Sequence, residues 1–239
     1  MHPDELLAAL RADGAALAAA ADGAFDAAVP TCPGWDVSQL VNHVGRVHRW
    51  ATAVVRMRSN EAPAFPPRPE VVDLSWFAEG VTELAAALEE AGPDVEMWTF
   101  PRGGGTSRFW FRRQAVETAL HRIDAQLAVG SAQPVDTELA LAGIDEMLDV
   151  YLLPRRGELG GSVHFHTTDS RHGEWIVLDD PDGSGLLVGH GHEKGDVALR
   201  ATASDLLQWL WGRDVPDDHF EIFGDAAILE RWKANLSIG

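Results

Sequence analysis

Apolar residues recur at helical spacing through most of the first two thirds of the chain. Leu6, Leu7, Leu10 and Leu17 predict a first helix over residues 4–22, and its alanine-rich composition favours that state despite Gly14. Pro33-Gly34 marks a turn. Asp36, with Gln39 three residues on, then forms a capping-box pattern that opens a second helix over about residues 37–59. Its apolar stripe is Leu40, Val44, Val47, Ala51 and Val54. His43 falls about 60° from the centre of that stripe and is expected to turn inward, whereas His48 is expected near the opposite edge. Four prolines between Ala62 and Glu70 require an extended loop. Phe77, Val81, Leu84 and Leu88 carry a third helix, from about Leu74 to Ala91, that stops at Gly92-Pro93. A glycine-rich stretch, Gly103 to Gly105, reads as a flexible loop leading into a fourth helix, with Phe109, Val116, Leu120, Ile123 and Leu127 in register. A fifth helical pattern, Val135 to Leu153, completes what reads as an antiparallel helical bundle.

The period changes after Pro154. Beyond the PRRGELGG stretch, read as a linker, the runs SVHFHTTD, EWIVLDD, GLLVGH and DVALRAT alternate between apolar and polar residues, with glycine-containing turns between them. They predict strands of a mainly antiparallel sheet. Helical segments at Ser204 to Gly212 and Asp225 to Ser237 flank the short run HFEIFG. The expected fold is therefore α+β with two domains: a helical bundle over residues 1–156 and a small sheet with helices over 160–239.

Charge narrows the range of partners. The net charge of -18, with lysine only at Lys194 and Lys233, repels a phosphate backbone, so nucleic acid is not an expected partner. No apolar run reaches the roughly eighteen residues of a membrane span, and the acidic start MHPDELLAAL is unlike a secretory signal. A cytoplasmic protein, monomer or homodimer, acting on a small molecule is expected. Cys32 is the single cysteine, which excludes an internal disulfide and a multi-cysteine metal site.

The chemistry centres on the stretch QAVETALHRID, Gln114 to Asp124. Glu117 and His121, four apart, stack on one helix face, and Asp124 follows one turn later. A hydrogen-bonded helical pair is the ordinary outcome of this spacing. A third ligand from elsewhere makes it a metal site, and His43 is the candidate, since a catalytic zinc takes three protein ligands and keeps a fourth position open. Histidines at 164 and 166, two apart on a predicted strand, with His190 and His192 nearby, form a rival set. Cys32 precedes a helix start, where a thiolate is favoured, but a packed small residue in a PGW turn is the expected role. Serine-histidine-aspartate catalysis lacks its nucleophile elbow. Arg213, after LLQWLWG, suits either an acidic substrate or the C-terminal dipole of its helix.

Taken together, CPGWDVSQLVNHVG (Cys32 to Gly45), ETALHRID (Glu117 to Asp124), GSVHFHTTDSRHGEW and DLLQWLWGR resemble the mycothiol-dependent maleylpyruvate isomerase family of the DinB-like helical-bundle superfamily. The resemblance covers nearly the whole chain, with its segments in the family's order. It implies that His43, Glu117 and His121 bind a divalent metal, zinc foremost, and that mycothiol is the thiol cosubstrate. It also implies a structural role for the VHFH strand and, through the WGR context, a catalytic role for Arg213. The reaction implied is isomerisation by thiol addition and expulsion, or a related thiol S-transfer to a small electrophile. A hydrolase using metal-bound water and a non-catalytic binding protein remain alternatives, because each needs the same bundle.

Overall fold

The computed structural model describes residues 1–100, 104–152, 158–183 and 185–236. Gly103 of the predicted glycine loop and Pro154 to Gly157 of the predicted linker lie outside the described residues. The chain divides into two compact units, Met1–Val135 and Asp136–Gly239.

In the first unit α1 (Pro3–Ala21), α2 (Val37–Met57), α3 (Leu74–Ala91) and α4 (Ser107–Ala128) pack together, with a short antiparallel ladder of β1 (Glu96–Met97) and β2 (Gly105–Thr106) before α4. Local chemistry sets the helix starts. The Asp36 carboxylate accepts from the Gln39 amide at 2.7 Å and the Gln39 side chain accepts from the Asp36 amide at 2.9 Å, the predicted capping box. Asp73 caps α3 by accepting from the Trp76 amide at 2.7 Å. Leu10, Leu17, Leu40, Phe77, Leu84, Leu88, Trp110 and Leu120 fill the core. Between Trp110 and Ala125 nearly every side chain of α4 is buried or half-buried, so this helix, rather than one stripe of it, forms the centre of the unit. Phe109 and Leu127, predicted for its apolar stripe, are only half-buried.

The α2–α3 contact depends on Gly45. A Cβ there would stand 2.3 Å from the Trp76 ring. The ring fills that space, while Arg49 lies 4.1 Å over it and donates to the Trp76 carbonyl at 2.7 Å. Trp50, Trp98 and Trp110 form an aromatic cluster, with centroids 5.5 Å (50–98), 5.6 Å (50–110) and 6.0 Å (98–110) apart. The Trp50 indole also donates to the Pro63 carbonyl at 2.9 Å, tying the proline-rich loop to α2.

His48 is placed differently from the expectation. It is fully buried, whereas Val47 is only half-buried, because the inward stripe of α2 runs through Leu40, Val44, His48, Ala51 and Val55. Thr118 makes this possible. Its hydroxyl donates to the Gln114 carbonyl at 2.7 Å and so accepts from His48 Nε2 at 2.9 Å, leaving Nδ1 unprotonated and without a partner. Burial pushes the His48 pKa down to about 3. Below the ordinary value of 6.5 the unfolded chain takes up a proton that folded His48 refuses until about pH 3, so stability falls as pH falls through that window. At about 1.4 kcal/mol per pH unit, the loss between pH 6.5 and 5 is expected to be roughly 2 kcal/mol. Denaturant titrations at the two pH values, with His48→Gln flattening the difference, check it.

The second unit opens with α5 (Thr137–Glu146), which widens into a π-helical turn at Met147–Leu152. The strands β3 (Ser162–Thr167), β4 (Glu174–Asp179), β5 (Leu186–His190), β6 (Val197–Ala201) and β7 (Glu221–Gly224) form one sheet in the order β5-β4-β3-β6-β7. Its pairs are antiparallel except β3 with β6, which is parallel. The helix α6 (Ala203–Leu210) and the helix α7 (Ala227–Leu236) pack on the Phe165 face, where Phe165 meets Trp232 at 5.1 Å and Trp209 at 6.0 Å. The predicted HFEIFG run supplies β7. The fifth helix, expected to belong to the bundle, groups instead with this unit. Trp211 donates to the Gly143 carbonyl at 3.1 Å and Trp175 to Asp145 at 2.8 Å, and α5 packs on α6. The division thus falls at Val135/Asp136 rather than near residue 156.

Candidate metal centre

In the first unit α2 and α4 bring His43, Glu117 and His121 together, with one candidate ligand atom from each lying within 4.8 Å of the others. Glu117 Oε1 stands 3.5 Å from His43 Nε2 and 3.3 Å from His121 Nε2. The two imidazole rings are 5.2 Å apart, nearly perpendicular. His43 is half-buried rather than fully turned inward, and packs against Trp35 at 5.1 Å. His121 is buried.

Both carboxylates in the cluster are held in place. Arg113, one turn before Glu117, donates to its Oε2 at 2.6 Å, so that Oε1 is the oxygen turned to the histidines. His121 Nδ1 lies 2.8 Å from Asp124 Oδ2, which as a carboxylate can only accept. Nδ1 therefore carries a proton, and Nε2, 3.3 Å from Glu117 Oε1, is the nitrogen a metal ion can claim once the ring gives up its second proton. Asp124 is fully buried and is itself oriented by the turn before α2: Thr31 donates to Oδ1 at 2.6 Å, and the Cys32 thiol approaches Oδ2 at 3.9 Å. That turn is closed by Val29 and Cys32 backbone bonds to and from Trp35, with Gly34 at φ 83°, a conformation natural to glycine. Cys32 thus supports Asp124, rather than standing as a free nucleophile.

The electrostatics favour an added positive charge between the carboxylates. Burial opposes ionisation of Glu117, but the Arg113 guanidinium and His121 outweigh it and hold the carboxyl well below the ordinary range. Burial likewise opposes a charge on His121, yet Glu117 and Asp124 push its pKa up to about 9. A proton is the smallest cation that meets this demand. The donor set also fits a larger one. Ligands at about 2.0–2.1 Å around a tetrahedral zinc stand about 3.3 Å from one another, close to the separations found here.

The rival histidines behave otherwise. His164 and His166 share one face of β3, and register places Glu174 on that face opposite His166. His190 pairs with Trp175 and so lies on the other face, where it meets Asp149 at 3.2 Å. His192 returns to the first face, and its Nδ1 donates to Glu174 Oε2 at 2.7 Å. The four predicted histidines therefore do not form one set. Arg213 belongs to the second unit, after α6, where its Nη1 donates to the Trp211 carbonyl at 2.8 Å. Arg113, Thr31 and Glu174 were not singled out from the sequence. The i, i+4 spacing of Arg113 to Glu117 is a signal that identifies the first, whereas the other two are brought in by distant pairing.

A helical unit with a partly buried carboxylate-imidazole cluster, followed by a small α+β unit, defines the class of this chain. The comparisons agree. Residues 6–126 match the mycothiol maleylpyruvate isomerase N-terminal domain, and residues 138–231 match the C-terminal domain of the same family. The chain belongs to the mycothiol maleylpyruvate isomerase family. Its fold is similar to a crystal structure of the mycothiol-dependent maleylpyruvate isomerase, at TM-score 0.63 and 16% identity over 93% of each chain. It is equally similar to a histidine-to-alanine mutant of that enzyme, at TM-score 0.63 and 14% identity over 93% of each chain. No curated protein matches the sequence. Among the described residues no helix is long and apolar enough to cross a membrane.

Proposed function

We propose that His43, Glu117 and His121 hold a divalent cation, zinc by preference, and that the protein uses mycothiol to transform a small electrophile, by maleylpyruvate isomerase-like isomerisation or by S-transfer. The observation that carries this reading is the single Glu117 oxygen, 3.5 Å and 3.3 Å from two imidazole nitrogens. Nitrogen and oxygen donors with no thiolate among them suit zinc with a position left for an exogenous ligand. When bound, such a cation lowers the pKa of a thiol at that position, making the nucleophile available near neutral pH.

The chain's own residues prepare the site. Arg113 fixes which Glu117 oxygen is presented, and Asp124 fixes the His121 tautomer, with Thr31 behind it. Thiol addition to a conjugated acid, bond rotation and thiolate expulsion give an isomer, whereas retention of the adduct gives S-transfer. The deciding experiment is elemental analysis followed by mycothiol titration of the cobalt-substituted protein. A thiol-dependent change in the cobalt spectrum and turnover that requires thiol are expected. An unchanged spectrum with thiol-free turnover would replace this reading with a metal-dependent hydrolase, and full metal occupancy with no turnover at all would leave a binding protein.

Arg213 is assigned, from its WGR context, the anchoring of an acidic substrate group. Charge-assisted hydrogen bonds contribute about 1.5–3 kcal/mol, so Arg213→Ala is expected to raise KM by roughly tenfold or more with metal content unchanged. Steady-state kinetics of the variant check it, and an unaltered KM removes the assignment.

A further inference from the structure

We infer that the second unit carries a divalent-cation site of its own, built from His164, His166, Glu174 and His192. The four offer ligand atoms that all lie within 4.8 Å of one another. Strand alternation puts His164 and His166 on one face of β3, and antiparallel register sets Glu174 of β4 beside His166. His192 reaches the same face because Gly191 takes φ 115°, which turns the chain after β5, and the Gly191 amide donates to the Glu174 carbonyl at 2.9 Å. Two strands and one loop therefore converge on one point.

Glu174 is the hub. Its Oε1 lies 3.4 Å from His166 Nδ1, and its Oε2 lies 3.6 Å from His164 Nε2 and 2.7 Å from His192 Nδ1. The His164 ring meets those of His166 and His192 edge-on, at 5.7 Å and 5.2 Å. Hydrogen bonding alone does not complete this arrangement. His164 is 6% exposed, and its Nε2, aimed at the carboxylate, is a buried polar atom with no hydrogen-bond partner. A cation among the four satisfies it. With Oε2 as the ligand oxygen, the 3.6 Å to His164 Nε2 is close to the roughly 3.3 Å between ligands of a tetrahedral zinc. The shorter His192 contact is a hydrogen bond that opens by under about 1 Å on shared coordination. His192 is exposed on the loop after β5.

Three imidazoles and one carboxylate choose a borderline ion such as zinc over calcium or magnesium, which take oxygen ligands. With four protein ligands the site is closed, the arrangement of a structural rather than a catalytic zinc. Its work is to pin the loop after β5 to the sheet.

The test is a zinc or cobalt titration of the full-length, chelator-stripped protein against a chromogenic competitor. Two equivalents per chain are expected. His166→Gln with His192→Gln should lose one equivalent, and His43→Ala with His121→Ala the other. His192→Gln alone, on an exposed side chain that leaves the fold intact, should weaken one site by at least about tenfold. The inference is overturned if the Gln variants bind as the unaltered protein does, or if a single equivalent binds and vanishes with His43 and His121. A single equivalent that survives loss of His43 and His121 but disappears in the Gln variants supports this site and removes the other.

Discussion

Alanine at both His43 and His121 is expected to strip the helical unit of its cation and to lower thiol-dependent turnover by at least about 10³-fold. The size follows from comparison. Removing a residue that merely orients a metal ligand costs about 10–100-fold, and here two of three direct donors are lost. Glu117 would remain, held by Arg113 at 2.6 Å, but a lone carboxylate already paired with a guanidinium is a poor cation site. His43 is half-buried, so its loss opens little of the core. Metal content per chain, circular dichroism and turnover measured on the same preparation separate loss of the ion from loss of the fold. Unchanged metal content attributable to the helical unit would dispose of the proposed centre.

Asp124→Ala is expected to act indirectly and almost as strongly. Its Oδ2 holds His121 Nδ1 at 2.8 Å and its Oδ1 accepts from Thr31 at 2.6 Å, so it bears on the site through His121. Without the carboxylate the imidazole is free to turn and to protonate the wrong nitrogen, so metal affinity should fall by about 10–100-fold. The same change leaves buried polar groups short of an acceptor, at about 1–3 kcal/mol. Asp124→Asn, whose amide oxygen still accepts, should recover part of both. A metal-binding titration and a urea melt on each variant measure the two effects separately. Equal losses of affinity in the alanine and asparagine variants would show that the charge, not the acceptor, is what matters.

Much of the helical unit was legible because its signals are local. Asp36 and Gln39 lie within one turn, Gly92-Pro93 follows α3 directly, and the Glu117–His121 spacing is fixed by helix geometry. His43 was legible as a partner for that pair only through the resemblance and its place on α2. His48 was misplaced because a histidine scores as polar, while Thr118 on another helix supplies the one hydrogen bond that lets it enter the core. The division of the chain was misread because the 135–153 pattern is helical whichever unit it packs on. Its partners, Trp175 and Trp211, lie far along the sequence. Glu174 escaped notice for the same reason: only the register of β4 on β3 sets it beside His166. Likewise the parallel pairing of β3 with β6 has no local signature.

The indoles of Trp50, Trp98 and Trp110 lie at 5.5, 5.6 and 6.0 Å and are tilted by 70°, 85° and 32° to one another. Chromophores so close and so skewed share their excited states, and the resulting exciton couplet overlaps the far-ultraviolet signal of the peptide backbone. Helix content read from ellipticity will be biased for this protein, while the couplet itself becomes an optical gauge of whether α2, α4 and the segment before α4 remain assembled.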